Sequence, residues 1–188
     1  KELINRIKTG LLLSFVIYTL LAIVIIIFIH PLLDWMSVSS DIKDESATYI
    51  RIEVIANIFS TLVDFILVIL ITISKEKYLY IFTVMKLGLC ILVDLFLVSN
   101  LSCSLNLGVN GIGYSNIIVN AVLFIGCLAI LEYEGLSLFC TCKGEMSFGW
   151  MSSFGKKGLV SGLESLIRNY AYMAMISKMV NVVNEQGI

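Results

Sequence analysis

The sequence predicts an all-α fold, a polytopic transmembrane bundle of five spans, and three observations support that prediction. The chain of 188 residues is 59% hydrophobic and only 14% charged, with a mean hydropathy of +0.96, whereas soluble domains carry about 25% charged residues. Five apolar runs follow one another, and each is close to the roughly 20 residues that cross a hydrocarbon core. Inside lipid, helices satisfy their own backbone hydrogen bonds, so we expect helices rather than sheets.

The five predicted spans differ in how many charged residues interrupt them. The first contains none, the second contains Asp64, and the third contains Lys86 and Asp94. The fourth contains asparagines but no charge, and the fifth is the least apolar because it includes Glu164 and Arg168. The spans are predicted at residues 10–29, 54–74, 78–99, 114–131 and 158–183.

The links between the spans alternate in charge. Lysine or arginine is concentrated in residues 1–9, 75–77 and 132–157, whereas 31–53 is net acidic and 100–113 carries no charge. The positive-inside rule therefore places the start of the first span in the cytoplasm. The expected location is a cell membrane, namely a bacterial inner membrane, with the lipid bilayer as a partner.

The longest predicted cytoplasmic link, 132–157, is the expected domain boundary. It contains a Gly/Ser-rich patch at 147–155, which is typical of a flexible connector. Residues 1–157 are predicted to form part of an amino-terminal bundle with four spans, and 158–188 to begin a second bundle. The chain starts at Lys1 without a methionine, and we expect the natural protein to continue beyond both ends.

Several function classes are disfavoured by the sequence. The net charge of −1 offers no basic surface for nucleic acid. Cys140 and Cys142 are a close pair, but no histidine lies near them and a structural zinc site needs four ligands. The glycines between Gly108 and Gly113 follow no strand, which argues against a nucleotide-binding loop. We therefore expect neither an enzyme nor a bound metal or cofactor.

The charged residues within the spans are the informative ones, because each costs at least about 2.5–3.5 kcal/mol at the bilayer centre unless it faces a partner or a cavity. Asp64 and Lys86 are predicted to lie at nearly the same depth on consecutive antiparallel helices, and so to form an ion pair. Glu164 and Arg168 are four residues apart with the acid first, the favourable order for a pair on one helix.

Asp94 lies on a polar stripe with Cys90 and Lys86, at successive steps of four residues along an otherwise apolar helix. Two interpretations remain open at this point. The stripe either holds helices together, or Asp94 faces a water-filled cavity that cations can enter.

The residues around these spans resemble those of the multidrug and toxic compound extrusion (MATE) transporters over nearly the whole chain. The resemblance combines short motifs in a matching order with a matching charge topology. The motifs are Pro31-Leu32-Leu33, Ala47-Thr48-Tyr49-Ile50-Arg51-Ile52, Asp94 followed by the segment from Gly108 to Asn116, and Ser161-Gly162-Leu163-Glu164-Ser165-Leu166-Ile167-Arg168.

The resemblance implies that the chain covers helices three to seven of twelve. That family exports amphipathic drugs and organic cations by alternating access in exchange for sodium or protons, and its amino-terminal bundle holds a carboxylate-lined cavity. Asp94 matches one of those carboxylates. Cys90 stands where some members have asparagine, and Asn116 where they have threonine. With Asn120, these residues form the predicted cation or substrate cavity.

The function expected from the resemblance is a cation-coupled antiporter for small amphipathic or cationic substrates. Two alternatives remain. One is a lipid-linked oligosaccharide flippase of the same superfamily, which needs a basic cavity for an anionic headgroup. The other is a non-transporting structural membrane protein. The span interiors mix acidic residues with Lys86 and Arg168, and this mixture favours cationic or neutral cargo over an anionic headgroup.

Overall fold

A computed structural model describes residues 2–36, 40–99, 104–136 and 148–186, and this part of the chain contains helices but no strand. The all-α prediction is thereby confirmed. The helices are α1 Glu2–Ile27, α2 Ile29–Trp35, α3 Ser40–Thr72, α4 Lys77–Leu97, α5 Val109–Tyr133 and α6 Phe148–Gln186.

Four of these helices are long and apolar enough to cross a membrane. They correspond to the first four predicted spans and cover Leu3–Ile27, Ile42–Thr72, Lys77–Leu97 and Val109–Tyr133. Apolar helices of this length indicate a multi-pass protein in a lipid bilayer.

The predicted fifth span is not among the helices that qualify within the described residues. Its region belongs to α6, a single helix of 39 residues that also takes in most of the predicted flexible patch at 147–155. Charged side chains recur along its described surface, at Lys156, Lys157, Glu164 and Arg168, and all four are exposed. These charges shorten the uninterrupted apolar run below what a span needs.

The chain divides into two compact units, residues 1–144 and 145–188. The division falls within the predicted connector, thirteen residues before the predicted boundary at 157. The first unit holds α1 to α5, and the second holds α6.

The predicted link 31–53 is mostly helical rather than a loop. Pro31 explains the break between α1 and α2, because a proline has no N–H and its ring clashes with the carbonyl four residues earlier, at Ile27. That residue is where α1 ends. After α2, the helix α3 begins at Ser40, well before the predicted start at Val54. The ion pair between Lys43 and Asp34 joins the start of α3 to α2.

Helix α3 is the centre of the first unit, since it contacts α1, α2, α4 and α5 and packs most extensively against α5. Helix α4 packs mainly against α5 and touches α3 little. Gly113 of α5 approaches Ile52 of α3, and Gly126 of α5 approaches Phe82 of α4. The shared core of these three helices contains Val63, Ile66, Leu70, Phe82, Val119, Leu123, Cys127 and Leu131.

Candidate functional site

The ends of α3, α4 and α5 that are predicted to face the cytoplasm meet at Glu134. The Lys75 ammonium lies 2.8 Å from Glu134 Oε2, and the Tyr78 hydroxyl donates a hydrogen bond of 2.7 Å to Glu134 Oε1. Hydrogen bonds from Lys75 and then Tyr78 hold the pKa of the Glu134 carboxyl below its ordinary value. The same carboxylate raises the pKa of Lys75.

Helices α3 and α5 end in the same backbone motif, next to the two residues of this ion pair. In α3 the Ser74 N–H donates to the Ile71 carbonyl at 2.9 Å. The next N–H, that of Lys75, donates to the Leu70 carbonyl at 2.9 Å, which completes a Schellman motif. α5 repeats both bonds, with Gly135 in the place of Ser74.

This cluster was not predicted, because Glu134 lies just beyond the fourth predicted span, in a long link where acidic residues carry no specific signal. A signal was present in the sequence. Lys75 occupies the short basic link after the second span, and parallel helices that end at one level bring such flanking charges together.

The ion pair also fixes the relative height of polar residues deeper in the unit. Asp94 lies 17 residues above Lys77 at the start of α4, and Asn116 lies 17 residues above Tyr133 at the end of α5. At 1.5 Å per residue both are about 25 Å from the Glu134 end. Glu53 of α3, 19 residues from Thr72, is only about 3 Å higher. The three side chains therefore share one level in the half of the bundle away from Glu134.

Glu53 and Asn116 are in direct contact at this level. The Asn116 Nδ2 group donates a hydrogen bond of 2.9 Å to Glu53 Oε2. The two helices come close here because Gly113, one turn away on α5, has no side chain: a Cβ at this position would lie 2.8 Å from Ile52 Cγ2. Glu53 belongs to the acidic link 31–53 of the sequence and was not predicted to be part of the site.

Asp94 is half-buried on α4, and its Oδ1 atom is buried without a hydrogen-bond partner among the residues that the structure describes. A buried carboxylate oxygen without a partner is costly, by about 1–3 kcal/mol or more for a charged group. Cys90, one turn along the predicted stripe, is also half-buried and packs against the shared core.

Asn120 and Ser115 on α5 are more deeply buried, at 6% and 1% exposure. In the described part of the unit, neither Asn120 Oδ1 nor Ser115 Oγ has a hydrogen-bond partner. Asn120 is four residues after Asn116 and therefore lies on the same face of α5, one turn deeper. The predicted cavity residues thus occupy one level and the turn below it, and Glu53 joins them.

The predicted ion pair between Asp64 and Lys86 is not present as a salt bridge among the described residues. The Glu53–Asn116 contact sets the register of α3 and α5, which puts Asp64 at the level of Cys127. Counted from the Glu134 end, Asp64 lies 8 residues before Thr72 and Lys86 lies 9 residues after Lys77, so the two are at nearly the same height, about 12–14 Å. Asp64 is also exposed. The prediction assumed that α3 and α4 face each other, whereas α5 packs against both.

Glu164 and Arg168, the second predicted pair, are both exposed on α6. No salt bridge joins them in the described part of the second unit. The spacing permits the contact, but exposed side chains gain little from holding one geometry against their rotamer entropy. Cys103, Cys140 and Cys142 lie outside the described residues, and within those residues no group of three His, Cys, Asp or Glu side chains could hold a metal ion.

No family model, curated protein or solved structure matches the chain. The resemblance to the MATE transporters therefore depends on the motifs of the sequence alone. The structural feature that bears on function is the level shared by Glu53, Asp94 and Asn116.

Proposed function

We propose that this protein is a cation-coupled antiporter that exports drugs or organic cations by alternating access, using a sodium or proton gradient. The observation that supports this proposal most directly is Asp94. Its carboxylate oxygen is buried within a membrane-spanning helix and has no partner in the described residues, and charged groups within spans usually serve ion or substrate pathways.

The chemistry of antiport suits a carboxylate in this position. One acid can bind a coupling cation in one conformation and release it when a cationic substrate, or a proton, takes its place. Cys90, Asn116 and Asn120 offer polar atoms at the same level or one turn deeper, and the first unit exposes apolar helix faces suited to lipid. The arrangement also supports the interpretation that the protein is a transporter rather than an enzyme.

The test is gradient-driven export of a cationic dye by the full-length protein in proteoliposomes. We expect Asp94→Asn to reduce export at least tenfold, because a neutral amide cannot alternate between ionised and protonated forms. Asp64→Asn is the matched control: it also removes a carboxylate from a span, but from an exposed position nearer the Glu134 end. Export that survives Asp94→Asn undiminished would reject the role of Asp94.

The flippase alternative makes a different prediction in the same vesicles. A flippase would move a lipid with an anionic phosphate headgroup and would depend on a cationic residue such as Lys86, the half-buried lysine of α4. Translocation of such a lipid that is lost in Lys86→Gln and kept in Asp94→Asn would replace the proposed function by the alternative.

A further inference from the structure

We propose that Glu53 of α3, with Asn116 and Asn120 of α5, forms a sodium site between these two helices. The inference rests on the proposed function, in which sodium would be the coupling ion. Sodium binding itself is measured at equilibrium and needs no transport. Sodium is a hard cation, and hard cations prefer oxygen ligands from carboxylates and amides.

The first observation is the contact between Glu53 and Asn116. The amide nitrogen of Asn116 donates a hydrogen bond of 2.9 Å to the Glu53 carboxylate. An amide and a carboxylate from different helices are therefore already close enough to bind one ion together. Rotation of the Asn116 amide by half a turn would replace the donor nitrogen by Oδ1. The same two side chains would then present oxygens to a cation in place of their hydrogen bond.

The second observation, independent of the first, is Asn120. It is 6% exposed, and its Oδ1 has no hydrogen-bond partner among the described residues. Because it lies four residues after Asn116, its side chain projects from the same face of α5 toward the turn that carries Asn116. An amide oxygen left without a partner at this burial is destabilising, by about 1–3 kcal/mol, unless something binds to it.

The opposing surface of α3 carries a small residue beside these oxygens. Ala56, three residues after Glu53 and so on the same face, is 1% exposed and has only a methyl group. Glu53 itself is half-buried, so part of its side chain remains accessible. Amide oxygens accept no proton near neutral pH, which is why this set of residues suits a metal cation better than a proton.

A purely structural role for the Glu53–Asn116 hydrogen bond is the competing explanation, and sodium binding separates the two. The full-length protein in detergent would be titrated with radioactive sodium at constant ionic strength, with choline as the replacing cation. We expect saturable binding that Glu53→Gln and Asn120→Ala each weaken at least tenfold. Glu53→Gln keeps an acceptor for Asn116 Nδ2, so it removes the charge while preserving the helix contact.

Glu45→Gln is the matched control, because Glu45 is an exposed acid on the same helix, about two turns before Glu53. It should bind sodium as the unsubstituted protein does. A second readout is the rise in melting temperature that sodium causes, since a ligand of the folded state stabilises it. A structural role predicts that Glu53→Gln lowers the melting temperature equally in sodium and in choline.

The outcomes distinguish this site from the proposed function. Sodium binding that is lost in Asp94→Asn but unchanged in Glu53→Gln and Asn120→Ala would overturn the site. Dye export driven only by protons, with no saturable sodium binding, would also overturn the site and leave the antiporter in place. Sodium binding that depends on Glu53, in a protein that exports no dye, would support the site and reject the antiporter.

Discussion

Lys75 and Glu134 form a salt bridge of 2.8 Å that joins the carboxyl ends of two parallel helices, α3 and α5. The Tyr78 hydroxyl, near the start of α4, donates a hydrogen bond to the same carboxylate. Three membrane-spanning helices are thereby tied together at one end. At the other end, about 25 Å away, the contact between Glu53 and Asn116 links α3 and α5 alone, and Asp94 of α4 has an oxygen without a partner among the described residues.

The first prediction concerns the pH dependence of this salt bridge. The pKa of Glu134 is lowered by Lys75 and then by Tyr78. A carboxyl whose pKa is lower in the folded protein contributes stability above its unfolded pKa, and loses it as the pH falls through the folded value. We therefore expect the melting temperature in detergent to fall below about pH 4.5, and to fall less steeply in Glu134→Gln.

Glu132→Gln is the control for that experiment, because Glu132 is an exposed acid two residues away that forms no salt bridge with any of the described residues. The melting temperature of Glu132→Gln should depend on pH in the same way as that of the unsubstituted protein. Since the Lys75 side chain is 44% exposed, salt should weaken the contribution of Glu134. Acid profiles that are the same in Glu134→Gln and in the unsubstituted protein would contradict the prediction.

The second prediction uses the matching ends of α3 and α5. Ser74 has a φ of 61°, and Gly135, in the same position of its motif, has a φ of 77°. This left-handed conformation costs a non-glycine residue about 1–2 kcal/mol. We expect Ser74→Gly to raise the free energy of unfolding by up to about 1 kcal/mol and Gly135→Ala to lower it by a similar amount. Denaturant titration in detergent would measure both, and a loss of stability in Ser74→Gly would refute the argument.

The third prediction concerns the close approach of α3 and α5. A methyl group at Gly113 would lie 2.8 Å from Ile52 Cγ2, whereas one at Gly88 meets nothing within 4 Å. Replacing either glycine by alanine favours the helical state by about 1 kcal/mol. At Gly113, however, overpacking against Ile52 costs about 1–3 kcal/mol. Gly113→Ala should therefore be the less stable variant by at least about 1 kcal/mol, and should also weaken sodium binding by separating Glu53 from Asn116. Equal melting temperatures for the two variants would show that the helices can separate without cost.

The sequence was sufficient for the first four spans because long apolar runs have few other stable states in lipid. It also singled out Asp94, Asn116 and Asn120, since a polar residue in such a run is conspicuous. It could not supply helix packing order or rotation, which depend on the shapes of side chains such as Gly113 and Phe82. For that reason Asp64 was paired with Lys86, and Glu53 was not predicted to belong to the site. Glu53 lies within α3 because that helix begins at Ser40, well before the predicted start at Val54.

The last prediction follows from the absence of contact between Asp64 and Lys86. The two residues lie at nearly the same height, on helices that both pack against α5, and no salt bridge joins them in the described structure. A double-mutant cycle with Asp64→Asn and Lys86→Gln should therefore give additive changes in the free energy of unfolding, within about 0.5 kcal/mol. Charges in contact within a span would give a larger coupling, because each single change would leave the other charge unpaired in a low dielectric.

The charge swap Asp64→Lys with Lys86→Asp extends the same measurement. If the pair is absent, the swapped protein should be at least as unstable as the two single substitutions combined predict. A coupling above about 1 kcal/mol, or recovery of expression in the swapped protein, would mean that the two charges meet after all and that α3 and α4 come together in the membrane.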